Sequence, residues 1–457
     1  MIKFKNILIC KKSIKTVIAL FSCLIFQTFQ AQNIILNPSF ESNSKTAENW
    51  IITGPIASLI PKTSIEKNAL KMESTSESIH GKAIQTVAVS SGQTYLFSTK
   101  FKVQKVSSIS KSVMIKITWF KGTENIGYHY IYDISKLENG LFLASNTIKA
   151  VEGATMAQIS LEFRWSKGAI WWDDIVMETC SEIPARKIKV GTVYFRPPGK
   201  TIEINISEMG KLIDQAGNSG CNIICLPEGW ATCNTGIGMK KNEVNALEGS
   251  ASKMMAEKAK QYKMYIISGL YGWQGDVLSN IAVLYDKQGK IQGTYSKVHL
   301  PDGEAQDGAV PGNSFPVFTT DFGKIGMLIC WDYAFPEASR ALALNGAEIL
   351  FCPIWGDIRG TDIWKIISRT RAIDNGVYFV NSIYDGHSMI INPAGDVLQE
   401  SGVQGTLLMQ EIDLNYSPAW DYIGNEGRGD WKGVWRTDRR PETYEAIGDY
   451  KTSNLKK

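Results

Sequence analysis

The most informative part of the sequence is DFGKIGMLICWDYAFPEASRALALNGAEILFCP, residues 321–353. The apolar run IGMLI, residues 325–329, predicts a buried strand that ends at Cys330, and the run from Pro336 to Leu344 predicts a helix. We therefore expect Cys330 on a turn between strand and helix, where a thiolate is exposed and the backbone N–H groups that follow can bind a developing oxyanion. Most free cysteines are small buried hydrophobic residues instead, so Cys330 alone does not indicate catalysis.

Around this stretch, strand-like and helix-like segments alternate from Lys187 onward. KIKVGTVYF is followed by a helix-like stretch from Ile202 to Ala216, then by the apolar run CNIICLPE and the amphipathic run EGSASKMMAEKAKQY. Such alternation predicts an α/β domain in which helices cover a buried sheet. We place this domain at residues 187–415.

Two charged residues also follow strand-like runs in this domain. LPEGW places Glu228 just after an apolar run that ends at Leu226, where a buried carboxylate is costly unless it has a partner. YSKVHLPDGE places Lys297 after the run IQGTY. A carboxylate, an ammonium group and a thiol thus stand at the ends of three predicted strands.

The ordered set LPEG, YSKVHL and LICWDYAFPE resembles the signature of the nitrilase, or carbon–nitrogen hydrolase, superfamily. The resemblance runs from about Lys187 to Leu414. Within it, RTRAIDNGVYFVNS, SMIINPAGDVLQE and TLLMQEIDL are similar to the closing helix, strands and hairpin of that family. The resemblance implies an α/β domain built as an αββα four-layer sandwich of the nitrilase type.

Carried over to this chain, the resemblance implies that Glu228 is the general base, Lys297 the cation that stabilises an oxyanion, and Cys330 the nucleophile. Glu304, in the same motif as Lys297, matches a second glutamate that positions substrate or base in many members. The alternative for Glu304 is an ordinary loop carboxylate. The backbone N–H of Trp331 is expected to help bind the oxyanion.

This set implies hydrolysis of a non-peptide carbon–nitrogen bond, in a small amide or N-carbamoyl substrate, through a thioester intermediate. A thiol of pKa ~8.5 is only a minor fraction thiolate at neutral pH, so a carboxylate within reach has to take its proton. The chemistry needs no metal and no other cofactor. Nitrile hydrolysis and N-acyl transfer by the same residues remain alternatives, and so does a non-catalytic protein that binds glycans.

Further residues near the predicted pocket have less specific interpretations. Asp332 and Trp355 are expected beside the pocket, in contact with substrate. His299 is interpreted as a structural hydrogen-bonding residue rather than as a base for the thiol. Arg371 and Asp374, on one predicted helix, are more simply an ion pair within that helix than a clamp for a substrate carboxylate.

Residues 33–180 have a different pattern from the domain that follows. Short runs rich in Val, Ile, Thr and aromatic residues, such as AIQTVAVS and TYLFSTKFKV, are separated by polar turns, which predicts an antiparallel β-sandwich. Its ends, NIILNPSFE and WWDDIVMETC, resemble the first and last strands of carbohydrate-binding jelly-roll modules. The resemblance implies an N-terminal all-β jelly-roll sandwich with a glycan as its partner. Residues 181–186 are the predicted linker.

Two features of this module allow simpler interpretations. Glu41 and Asp174 match positions that often hold a structural calcium through oxygen ligands, or else they only cap strand ends. Four tryptophans either stack on sugar rings or, as we favour, fill the core of the sandwich. These are Trp119, Trp165, Trp171 and Trp172.

Residues 1–31 predict an exported protein. MIKFKNILICKKSIK is basic and lacks acidic residues, and the apolar run TVIALFSCLIF follows it, as in a secretory signal peptide cleaved near Ala31. This run is shorter than the roughly 20 residues of a membrane-spanning helix, and no later run is long and apolar enough. Acylation at Cys23, as in a lipoprotein, ranks lower because apolar residues follow that cysteine. We expect a periplasmic or extracellular protein without a transmembrane segment.

The composition argues against a nucleic acid partner, since 49 Lys and Arg residues against 45 Asp and Glu residues leave little net charge to attract a polyanion. In an oxidising compartment, we expect Cys330 to remain unpaired. The aromatic and charged tail at 416–457 is expected to pack over a neighbouring subunit, near the entrance of the site, or over its own domain. The family resemblance implies a homo-oligomer formed through helices.

Overall fold

The computed structural model describes residues 32–41, 46–237, 239, 246–356, 362–421 and 428–448. The predicted signal peptide, with its cleavage site and Cys23, lies outside these residues. None of the helices in the described ranges is both long and apolar enough to cross a membrane.

The N-terminal part of the described chain is rich in strands. Its elements are β1 (Ile51–Thr53), β2 (Lys62–Ile65), β3 (Leu70–Ser74), β4 (His80–Ala88), β5 (Thr94–Gln104), α1 (Ile109–Ser112), β6 (Val113–Lys121), β7 (Glu124–Tyr130), β8 (Ile134–Lys136), β9 (Leu141–Lys149), β10 (Met156–Arg164) and β11 (Gly168–Thr179).

These strands form two facing antiparallel sheets. One contains β1, β4, β10, β6 and β7 in that order, and the other contains β2, β3, β11, β5, β9 and β8. Alternate side chains of β10 point into the core between the sheets, where Ile159, Leu161 and Phe163 are 0% exposed. This part is a β-sandwich, and its similarity to a jelly-roll module stays a prediction.

The tryptophans and the acidic residue singled out in the sandwich have distinct surroundings. Trp119 and Trp172 are fully buried in the core, whereas Trp165 and Trp171 are partly exposed. Asp174 accepts a hydrogen bond from Nζ of Lys100 at 2.7 Å. A lysine ammonium group therefore already neutralises the carboxylate for which a calcium ion was considered.

The second part alternates strands and helices. Its elements are β12 (Lys187–Tyr194), α2 (Ile202–Asn218), β13 (Ile223–Cys225), α3 (Ser250–Tyr262), β14 (Tyr265–Gln274), β15 (Val277–Tyr285), β16 (Ile291–Ser296), α4 (Asp302–Gln306), β17 (Val317–Thr319), β18 (Lys324–Met327), α5 (Pro336–Leu344), β19 (Ile349–Pro353), α6 (Ile363–Asn375), β20 (Tyr378–Ser382), β21 (Met389–Ile391), β22 (Val397–Glu400) and β23 (Thr406–Asp413).

Two six-stranded sheets lie at the centre of this part, in the orders β16-β15-β14-β13-β12-β23 and β17-β18-β19-β20-β21-β22. They pack against each other through buried apolar side chains such as Ile223 and Ile325. α2 and α3 cover the outer face of the first sheet, and α5 and α6 cover that of the second. The layers therefore follow the order helix, sheet, sheet, helix, as the family resemblance implied for this α/β domain.

The tail contains β24 (Ala419–Asp421), β25 (Arg428–Asp430), α7 (Trp431–Asp438) and α8 (Glu445–Gly448). Gly429 of β25 pairs with Tyr128 of β7, so the tail extends one sheet of the sandwich. Trp431 of α7 donates its Nε1–H to the carbonyl of Ile373 in α6 at 2.7 Å. The described part of the tail thus connects the chain's own sandwich to its α/β domain.

Candidate active site

Three charged residues from two motifs meet in one buried cluster. Glu228 follows β13 and Lys297 follows β16, and both side chains are almost completely buried. Nζ of Lys297 lies 2.9 Å from Oε1 of Glu228 and 2.6 Å from Oε1 of Glu304. The structure therefore brings together the carboxylates and the ammonium group that the sequence placed at strand ends.

Cys330 lies on a tight turn beside this cluster. It begins a short 3-10 helix, Cys330–Ala334, with φ at +44°. A left-handed backbone is uncommon for a residue with a side chain, and such strain concentrates at functional sites. β18 ends at Met327, earlier than predicted, because Ile329 donates its N–H to Oδ2 of Asp332 rather than to a neighbouring strand.

Arg371 of α6 holds the other end of this 3-10 helix. Its guanidinium donates to the carbonyl of Tyr333 at 2.9 Å and to that of Ala334 at 3.1 Å. It also lies 3.6 Å from the carboxylate of Asp374, so the ion pair predicted within the helix is present. Because Arg371 is buried, we assign its charge to the turn after Cys330 and not to a substrate carboxylate.

The Glu228 carboxylate and the backbone N–H of Trp355 both lie close enough to the Cys330 thiol to affect its pKa. Burial raises the pKa of this thiol and the Glu228 carboxylate raises it further, whereas Lys297 and the Trp355 N–H lower it. The net direction is upward, so the resting thiol is protonated at neutral pH. Its use as a nucleophile therefore requires an adjacent base, and Glu228 is the carboxylate that lies close to it.

The ammonium group and the second glutamate have linked protonation. Burial alone would lower the pKa of Lys297, but the carboxylates of Glu228 and Glu304 and the nearby Cys330 raise it above its usual range. Lys297 therefore stays protonated at every physiological pH. Burial, together with the Glu228 carboxylate, raises the pKa of Glu304. One ammonium group thus balances two crowded carboxylates.

The sequence did not identify two groups that hold Glu228 in place. Asn280 of β15 donates its Nδ2–H to Oε1 of Glu228 at 2.6 Å, and the backbone N–H of Trp355 donates to Oε2 at 2.7 Å. A signal for Asn280 did exist, because an amide at the start of the apolar run NIAVLYD needs a partner when it is buried. A backbone donor such as that of Trp355 leaves no signal in the sequence.

Asp332 corrects one prediction, because its carboxylate does not face a substrate. It is 0% exposed and accepts hydrogen bonds from the Tyr295 hydroxyl at 2.7 Å and from the backbone N–H and Nδ1 of His299 at 2.8 and 2.9 Å. Together with the N–H of Ile329, these contacts connect the end of β16 to the turn that carries Cys330. Asp332 is therefore a positioning residue, and His299 is a structural partner of it.

We expect Asp332→Asn to lower catalytic activity about 10²-fold, because a misplacement of ~1 Å between reacting groups has an effect of this size. The amide of the variant turns a donor toward groups that donate themselves, and so leaves at least one of them unpaired. Ammonia release and thermal melting measure the two effects. Asp286→Asn is the control. Asp286 also accepts two backbone N–H groups, each at 2.8 Å, but these hydrogen bonds lie in an exposed turn between β15 and β16. Wild-type activity in Asp332→Asn would refute the positioning role.

The two tryptophans predicted at the site adjoin it in different ways. Trp331 directly follows Cys330 and its side chain is 44% exposed. Trp355 contacts the cluster through its backbone, and its ring stacks on that of Tyr271 with the centroids 6.1 Å apart. Contact of either residue with substrate stays a prediction. Among the described residues, Cys330 and the five other cysteines are free thiols.

An open cleft of about 1350 Å³ lies between the sandwich and the α/β domain. Arg186, Lys324 and Lys432 are among the residues that line it. Lys324 begins β18, whereas Cys330 follows the opposite end of that strand. This cleft is therefore separate from the catalytic cluster.

Comparisons with known proteins concern the second part of the chain. The model of the family described as carbon–nitrogen hydrolase matches residues 192–422. A probable nitrilase of Schizosaccharomyces pombe is 32% identical over 234 residues, which are 47% of this chain and 84% of the relative. An omega-amidase of Homo sapiens is 28% identical over 232 residues, 46% of this chain and 83% of that protein. A deaminated glutathione amidase of Synechocystis is 30% identical over 234 residues, 46% and 86% of the two chains.

Solved structures give similar matches. An amidase from Nesterenkonia aligns with a TM-score of 0.47 and 22% identity, covering 57% of this chain and 95% of its own. A carbon–nitrogen hydrolase from Helicobacter pylori aligns with a TM-score of 0.49 and 23% identity, covering 58% and 99%.

Proposed function

The chain belongs to the carbon–nitrogen hydrolase family, and from this we propose that it hydrolyses an amide or N-carbamoyl bond through a thioester on Cys330. The observation that supports this proposal best is the buried contact of Lys297 with two carboxylates beside the strained turn of Cys330. The carboxylate that also reaches the thiol, Glu228, is the one in position to act as its base.

In the first half of the proposed reaction, Glu228 accepts the thiol proton as Sγ of Cys330 attacks the carbonyl carbon of the substrate. The carbonyl π electrons move to oxygen, and the ammonium group of Lys297 and the backbone N–H of Trp331 stabilise the resulting oxyanion. When the carbonyl re-forms, the carbon–nitrogen bond breaks and the leaving nitrogen takes the proton from Glu228. Ammonia or an amine departs and leaves a thioester.

In the second half, Glu228 accepts a proton from water as the water oxygen attacks the thioester carbon. The carbon–sulfur bond then breaks and the thiolate recovers the proton from Glu228. The products are an acid and the original thiol. Glu304 supports both halves, because its contact with Lys297 fixes the ammonium group that faces the oxyanion.

We favour amides as substrates because two of the relatives described above are named as amidases, whereas one is named as a probable nitrilase. Ammonia release from a panel of monoamides of dicarboxylic acids, simple amides, N-carbamoyl amino acids and nitriles tests this choice. We expect at least one amide or carbamoyl compound to react faster than every nitrile. Turnover of nitriles alone would replace the proposal by nitrile hydrolysis, and transfer of the acyl group to an added amine would indicate an N-acyltransferase.

We also propose that the enzyme is exported, because residues 1–31 contain a basic segment, an apolar segment and a polar segment in that order. Expression of the full chain in a bacterial host, followed by N-terminal sequencing, tests this. A mature chain that begins near Gln32 is expected, acylated Cys23 would indicate a lipoprotein, and a retained leader on a cytoplasmic protein would contradict export.

Two partner proposals complete the function. The first is glycan binding by the sandwich, which the partly exposed side chains of Trp165 and Trp171 support. Calorimetry of the full chain with soluble glycans tests it, and the absence of heat across the panel would contradict it.

The second is a homo-oligomer formed through helices, which Ile363 and Ile366 on α6 support because they are 54% and 61% exposed. A monomeric mass in light scattering would contradict that assembly.

A further inference from the structure

Asn280 is placed between the two carboxylates of the catalytic cluster. Its Nδ2 lies 2.6 Å from Oε1 of Glu228 and 3.0 Å from Oε2 of Glu304. The side chain is 1% exposed. One amide group therefore uses both of its hydrogens on two different carboxylates, parallel to the two contacts of the Lys297 ammonium group.

The position of Asn280 is fixed by the backbone around it. Asn280 pairs with Tyr271 across β14 and β15, and its carbonyl accepts the N–H of Lys297 at 2.9 Å. The same strand register thus places the bridging amide and the ammonium group side by side. Neither can shift along its strand without disrupting this sheet.

The orientation of the Asn280 amide has an energetic cost, which its two hydrogen bonds to the carboxylates offset. Oδ1 of Asn280 is buried and accepts no hydrogen bond, which is unfavourable for a carbonyl oxygen. A flipped amide could not recover the loss, because Oδ1 would then face two carboxylates. Oδ1 therefore lacks a partner because the amide takes the orientation in which its Nδ2 donates to both carboxylates.

We propose that Asn280 is a positioning residue for the reaction, whose amide bridges Glu228 and Glu304 and holds Glu228 in place as the base for Cys330. Hydrogen bonds donated to a carboxylate favour its charged form. The contact from Asn280 accordingly lowers the pKa of Glu304, against burial and the Glu228 charge, which raise it. This inference rests on the proposed function of Glu228.

The test is the pH dependence of Cys330 alkylation by iodoacetamide, followed by peptide mass spectrometry in the full chain, which needs no knowledge of the substrate. In Asn280→Ala, the acid limb of the rate profile is expected to move to higher pH by about one unit, roughly tenfold in rate on the acid side. Asn280→Asp adds a third carboxylate and is expected to move the limb further. Asn280→Ser keeps one hydrogen-bond donor and is expected to give a smaller shift of the acid limb. If Asn280→Ala does not fold, Asn280→Ser takes its place in the test.

Asn205→Ala is the matched control. Asn205 is also fully buried, but its amide donates to the backbone carbonyls of Trp230, Ala231 and Cys233 and to no carboxylate. Its loss is expected to lower the melting temperature and leave the acid limb in place. An unmoved limb in the Asn280 variants, with fast alkylation of wild-type Cys330, would overturn the role of Asn280. Alkylation of wild-type Cys330 no faster than that of Cys180 would overturn the proposed function itself.

Discussion

Replacement of Cys330 by alanine is expected to lower the rate of ammonia release by about 10⁴-fold or more, because no other group in the cluster can form the covalent intermediate. The fold should persist, since the variant removes one sulfur atom and leaves the contacts of Lys297 with Glu228 and Glu304 intact. Steady-state ammonia release and thermal melting measure the two results. Cys330→Ser should be similarly inactive, because a hydroxyl is a much weaker nucleophile here than a thiol.

Cys180→Ala is the matched control for this variant. Cys180 is also a free, partly exposed cysteine, but it lies at the end of the sandwich rather than in the α/β domain. We expect its replacement to leave ammonia release unchanged. Equal loss of activity in both variants would show that the effect of Cys330→Ala is not specific to the nucleophile.

Replacement of Lys297 by methionine is expected to abolish activity and to lower the free energy of unfolding by about 3–5 kcal/mol, the range found when one partner of a buried ion pair is removed. Glu228 and Glu304 would then face each other without a cation. Because loss of the cation raises the pKa of Glu304 in the folded state further above the unfolded value, the lost stability should return as pH falls and this carboxylate takes up a proton. Denaturant unfolding at several pH values measures this dependence.

A double variant separates the two roles of Lys297. Lys297→Met combined with Glu304→Gln should regain stability, because one buried charge is removed, but it should remain inactive without the oxyanion cation. Lys287→Met is the control, since Lys287 pairs with Asp321 near the surface at 2.6 Å, where such pairs contribute roughly 0–1 kcal/mol. Full stability of the Lys297→Met single variant at neutral pH would contradict the charge balance described for the cluster.

Sequence patterns predicted those features that depend on local order. The ends of apolar runs placed Glu228, Lys297 and Cys330, and alternation of strands and helices indicated the α/β domain. Glu228 and Lys297 follow strands of one sheet and Cys330 follows a strand of the other, so the packing of the two sheets brings the three motifs into one cluster.

Features that depend on contacts between distant segments could not be predicted in the same way. The direction of the Asp332 side chain follows from the tight turn at Cys330, which points that carboxylate toward Tyr295 and His299. The amide bridge of Asn280 requires the register of β14, β15 and the Lys297 segment together.

The tail is a similar case, because it has no clear periodicity. Its main contact is the pairing of Gly429 in β25 with Tyr128 in β7, two residues that are about 300 positions apart along the chain. No local pattern specifies such a pairing. Local sequence patterns thus indicate which residues take part in the site, whereas the contacts between distant segments are seen only in the structure.

Cys330 is expected to carry the acyl group during turnover, and acid quenching followed by peptide mass spectrometry tests this directly. Wild-type protein mixed with a reactive amide is expected to show the mass of the acyl group on the peptide that contains Cys330. The same peptide in Cys330→Ala should remain unmodified while ammonia release stops. Ammonia release by Cys330→Ala at the wild-type rate, without an acyl adduct on either protein, would contradict covalent catalysis by Cys330.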